Sequence, residues 1–123
     1  MKIPPHRRER YLRDPLAIQL GGIAANLARI ASFGQDPSSG PVVDSLLYES
    51  KFFFEWAAPG APIESAARLV ELQVALAGWQ IRWSTSSPDL VERTSLILFA
   101  REWSDRILEM SGLLADTSDD AAA

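Results

Sequence analysis

The stretch PIESAARLVELQVALAGWQIRW, residues 62–83, decides the fold. Wound at 3.6 residues per turn, it places Leu69, Leu72, Leu76, Trp79 and Trp83 on one stripe and Ile63, Ala67, Val70, Val74, Ala77 and Ile81 on a second. Only Glu64, Arg68, Glu71, Gly78 and Arg82 remain as a clearly polar strip. Pro62 sits at the start, where its missing N–H costs nothing, and Glu64 in the first turn complements the helix dipole. A helix apolar over most of its girth is central or doubly covered, whereas each helix of a four-helix bundle is normally half exposed. That excess predicts a dimer.

Three more proline-led segments surround this one. In the first, Asp14 is a good N-cap and Pro15 a good first helical residue. Leu16, Leu20, Ile23, Leu27 and Ile30 then form a large stripe, with Ala17, Gly21, Ala24, Ala28 and Ala31 forming a small one beside it. Gly21 and Gly22 each cost about 1 kcal/mol relative to alanine inside a helix, so the small stripe predicts close approach of another helix backbone. That backbone belongs either to this chain or to a second copy. The turn formers QDPSSGP at 35–41 stop the helix, and Pro41 opens a second segment running to about Ala57. Its residues Phe52, Phe53, Phe54 and Trp56 exceed what one buried face holds, so some should reach a rim or a partner. The stretch APGAP at 58–62 is the next break, and Ser87, Pro88 and Asp89 mark the start of the last segment. There Leu96, Ala100, Trp103, Ile107, Met110 and Leu114 keep heptad register, for a helix of about 26 residues. Short connections force neighbouring helices antiparallel, which predicts an all-α, up-down-up-down four-helix bundle with both termini at one end.

A chain of 123 residues, 47% apolar and 23% charged, supports one globular domain. Its expected organisation is a basic arm at 1–13, the bundle at 14–114 and an acidic flexible tail at 115–123. The arm carries Lys2, Arg7, Arg8, Arg10 and Arg13 against Glu9, a formal +4, so with −4 overall the rest of the chain carries −8. An acidic body repels phosphate, so nucleic acid is not expected as a partner, and a peripheral membrane contact through the arm stays open. Residues 1–13 contain no apolar run and no stretch reaches the roughly 18 uninterrupted apolar residues of a membrane span, which predicts a cytoplasmic protein. The absence of cysteine rules out disulfides, thiolate metal sites and Cys nucleophiles.

No residue pattern calls for catalysis, metal or cofactor. Di-iron and haem bundles need Glu-x-x-His pairs or an axial histidine, and the one histidine, His6, lies outside the bundle. Glu49, Glu55, Glu71, Glu102 and Glu109 could pair in principle, although helical glutamates at such spacing usually form a solvated face. Gly21 and Gly22 lie mid-helix, where no phosphate cradle forms, and no Gly-x-Ser-x-Gly elbow exists. Four tryptophans, Trp56, Trp79, Trp83 and Trp103, could shape a pocket for a planar ligand, but aromatics at helical spacing are more often core or interface anchors.

The runs PLAIQLGGIAANLARIASF at 15–33, ESKFFFEWAAP at 49–59, VELQVALAGWQ at 70–80 and REWSDRILEMSGLL at 101–114 resemble an uncharacterised family of short all-helical cyanobacterial proteins. The resemblance implies the helical fold and a photosynthetic host, and adds no activity. The functional expectation is a non-enzymatic interaction or adaptor protein. A homodimer interface is expected on Ala17, Gly21, Ala24, Ala28, Leu72, Leu76 and Trp79, and a partner surface on Phe52, Phe53, Trp56, Arg7, Arg8 and Arg10. A bundle binding a small apolar ligand or pigment, and an accessory subunit of a larger complex tethered by its arm, are the alternatives.

Overall fold

The computed structural model describes residues 5–85 and 89–112. It is all-α: helices α1 (Pro5–Arg13), α2 (Leu16–Phe33), α3 (Gly40–Ala57), α4 (Ile63–Thr85) and α5 (Leu90–Ser111), with 3-10 turns at Pro37–Ser39 and Ala58–Gly60 and no strand among the described residues. Proline-led breaks therefore fall where turn chemistry puts them. Asp36 fixes the first turn by accepting from the Ser38 N–H at 2.9 Å and the Ser38 hydroxyl at 2.8 Å. Those two bonds hold its carboxyl below the usual carboxylate range.

Helix ends depart from the sequence expectation in three places. Pro15, not Asp14, is the N-cap of α2, with its carbonyl accepting from the Ile18 and Gln19 N–H groups at 2.9 and 3.0 Å. The Gln19 side chain takes the Asp14 carbonyl instead, at 2.9 Å. At α5 the cap is Asp89, whose carboxylate accepts from Glu92 N–H at 2.8 Å; Ser87 and Pro88 lie outside the described residues. The same helix is 22 residues long and stops at Gly112, which takes the left-handed conformation (φ 78°) that side chains resist. Leu114 and the expected acidic tail lie outside the described residues.

Helix α2 packs against both α5 and α3, and α4 packs against α3. In the large stripe of α2 Leu20, Ile23, Leu27 and Ile30 are buried and Leu16 is half-buried, and the core also takes Val43, Leu47, Phe54, Leu69, Leu72, Leu76, Leu96 and Ile107. By length and mean hydropathy (1.3), α2 is also the one described helix able to cross a membrane, although here Leu20, Ile23, Leu27 and Ile30 are in the core and only Ile18 and Phe33 of its large apolar side chains are exposed. The small stripe meets α5. Ser104 Oγ donates to the Ala24 carbonyl at 2.8 Å, and a Cβ on Gly34 would stand 3.1 Å from Ile97 Cγ1 and 2.9 Å from the Ile30 carbonyl oxygen. Of the two backbones the small stripe left open, this chain's own α5 is the one that approaches. Trp83 Nε1 donates to the Gly40 carbonyl at 3.1 Å, tying the end of α4 to the start of α3, while α4 meets α5 through Trp79 and Phe99, ring centroids 6.0 Å apart.

Candidate functional site

Two surfaces gather the residues singled out by the sequence, and only one is open. The first is the aromatic cluster of α3. Residues 1–13 were expected as an arm, yet Pro5–Arg13 is a helix docked on α3. Tyr11 stacks on Phe53 with centroids 4.5 Å apart and planes 13° apart, and tilts against Trp56 at 5.6 Å. Its hydroxyl donates to the Gln19 carbonyl at 2.9 Å, and burial, with the Asp14 carboxylate near, pushes the phenol above its ordinary value. Arg7 reaches Glu49 at 2.6 Å and lies 5.8 Å from the centre of the Phe53 ring. Glu49 also accepts from buried Asn26 at 3.1 Å, and Asn26 accepts from Arg29 at 3.3 Å, so one polar chain links α1, α3 and α2. Of the expected partner surface, Phe53 is covered by this chain's own Tyr11, and Arg7 pairs with Glu49. Phe52 and Trp56 stay half-buried, and Arg8 and Arg10 are exposed.

The residues of the expected dimer interface are divided between core and surface. Leu72 and Leu76 are buried in the chain's own core, closing them to a second copy, and Ala24 is buried under Ser104. Ala17 and Gly21 are half-buried and Ala28 is exposed. Trp79 is half-buried, with the Arg82 guanidinium 3.9 Å from its ring centre. The other three tryptophans also pack against the core: Trp56 beneath Tyr11, Trp83 on Gly40, and Trp103 between Phe99 at 6.4 Å and Arg106 at 5.0 Å. Among the described residues no group of three His, Asp or Glu side chains could hold a metal ion.

The open surface is the outer face of α4. Ile63 is 87% exposed, Val70 50%, Val74 69% and Ile81 65%, and Ala67 between them is exposed too. At 100° per residue these centre on the side opposite Leu69, Leu72 and Leu76. The two apolar stripes of α4 therefore have different fates, one forming core and the other forming surface. Glu64, Arg68, Glu71 and Arg82 run along one flank, all exposed. Exposed single apolar residues are ordinary on proteins, whereas these form a row along nearly the whole length of one helix. No protein-family model, curated protein or solved structure matches the chain.

Proposed function

We propose that this protein is a non-enzymatic interaction protein built as an up-down-up-down four-helix bundle, α2 to α5, with α1 as a strap across α3. The observation that carries the reading is the apolar row Ile63, Ala67, Val70, Val74 and Ile81, held outward on a helix whose opposite face is anchored in the core. A rigid helix presenting branched side chains loses little conformational entropy when covered, which suits it to recognise another helix or groove. Antiparallel order is supported by cross-helix registers: Ala24 with Ser104 and Gly34 with Ile97 between α2 and α5, and Trp83 with Gly40 between α4 and α3.

The test compares the tagged full chain with Val70→Asp/Val74→Asp. Both positions are exposed, so helicity and melting should be unchanged, while every protein that co-purifies from native lysate, including further copies of the chain, should be lost. An identical set of bound proteins on both baits would refute the reading.

A further inference from the structure

The outer row of α4 reads Ile63, Ala67, Val70, Val74, Ala77, Ile81, with spacings that alternate four and three. That is the seam of a coiled coil, and its order of sizes is a palindrome. We propose that the row is a self-complementary seam, on which a second copy of α4 packs antiparallel about a twofold axis between Val70 and Val74. The proposal rests on the reading of this face as the contact site and names its occupant.

Size and charge together select the occupant and its direction. In an antiparallel pair Ile63 meets Ile81 of the second copy, Ala67 meets Ala77, and Val70 meets Val74, so each layer matches like with like. Size alone would allow a parallel pair. Charge selects the antiparallel one. Glu64 and Arg82 are eighteen residues apart, five full turns, and so lie on the same flank at opposite ends of the row. A parallel pair would set this charged flank against the uncharged opposite flank of the second copy, leaving Glu64 and Arg82 unanswered, whereas an antiparallel pair brings the same flank of both copies together and sets Glu64 against Arg82 twice. Arg82 is exposed, with its guanidinium over Trp79. Near the axis Glu71 approaches its own copy, and Arg68, on the same flank of each chain, lies close enough to answer it. The opposite flank carries Ala66, Gln73 and Gln80 and adds no charge. Gly78 points the same way: it stands inside α4, yet an added Cβ would meet nothing within 4 Å. Among the described residues nothing requires a glycine there, whereas a helix backbone drawn close along the seam would.

A seam one helix wide and about 27 Å long falls well below the roughly 800 Å² per partner of a standard interface, so the dimer should be reversible, with a dissociation constant in the micromolar range. Sedimentation of the full chain from 1 to 300 μM should follow a monomer–dimer equilibrium, and Val70→Asp/Val74→Asp should stay monomeric with unchanged helicity. Direction is read by cysteine pairing, for which the cysteine-free chain is suited. Ile63→Cys and Ile81→Cys chains, oxidised together, should give a disulfide-linked dimer joining one of each, and each alone should give little. Glu64→Arg should weaken the dimer about five- to tenfold, and adding Arg82→Glu in the same chain should restore it. Wild-type protein that is monomeric throughout overturns the proposal. So does equal cross-linking within each single variant, which would mean a parallel seam. A monomer that still binds a host protein through Val70 and Val74 would sink this seam while leaving the interaction reading intact.

Discussion

Replacing Tyr11 with alanine should detach α1 and leave the rest of the fold standing. Nine residues are too few for a helix to hold itself in water, where about 12 to 15 are marginal, so α1 exists because it is docked. Its anchors are few. The Tyr11 ring stacks on Phe53 and touches Trp56, its hydroxyl bonds the Gln19 carbonyl, and Arg7 pairs with Glu49. Two aromatic contacts at about 0.5–1.5 kcal/mol each and one neutral hydrogen bond near 1 kcal/mol give roughly 2–3 kcal/mol for Tyr11→Ala, since the ring is only half-buried. Tyr11→Phe keeps the stack and loses the hydroxyl bond, at about 0.5–1 kcal/mol. Hydrogen exchange resolved by residue should show amide protection in α1 falling about 30- to 150-fold in Tyr11→Ala, with α2 to α5 close to wild type. Binding of a hydrophobic dye should rise as Phe53 opens. Unchanged α1 protection in Tyr11→Ala would refute the argument that this one side chain holds the strap.

Other perturbations separate core from surface. Leu76→Ala should cost about 2–5 kcal/mol in denaturant melts, whereas Val74→Ala and Glu109→Ala, both exposed, should stay within about 0.5 kcal/mol at concentrations where the chain is monomeric. Gly78→Ala should stabilise the monomer by up to about 1 kcal/mol and weaken self-association; a destabilised monomer would mean the glycine answers a need within the chain. Rising pH should release α1. The Tyr11 phenol is raised in the docked state, so its contribution is complete below about pH 10, where docked and free forms are both protonated, and is lost above it as the free form ionises first. In a Tyr48→Phe background, absorbance at 295 nm should place the Tyr11 transition above that of a free phenol. A transition at the ordinary position would contradict its burial.

Much of the helical architecture was legible because its signals are local. Proline-led starts and the stripes of Leu20–Leu27 and Leu96–Ile107 need no knowledge of neighbours, and those residues are buried. What sequence alone could not decide was which of two apolar stripes on one helix turns inward. On α4 the leucines fill the core and the smaller valine and isoleucine row is left outside, so Leu72 and Leu76, expected at an interface, are buried while Val70 and Val74 are exposed. The strap was missed for a different reason. Its mean composition is strongly polar, and its docking depends on one tyrosine rather than a stripe, although Pro5 at its first position is the same start signal used by the other helices. The aromatic excess of α3 pointed to a rim or a partner, whereas Phe53 is covered by Tyr11 of the same chain. Gly34 gave no sequence signal at all, because its role is set by Ile97, sixty-three residues away.

The central claim is that α4 meets its partner through the row that faces away from the core. Amide spectra of labelled protein at 10 and 300 μM test it most directly, because every residue reports separately. Concentration-dependent shifts should cluster at Ile63, Ala67, Val70, Val74, Gly78 and Ile81, with α1 and the α2–α5 contact unmoved. Shifts centred instead on Tyr11, Phe52 and Trp56, or spectra identical at both concentrations, would contradict it.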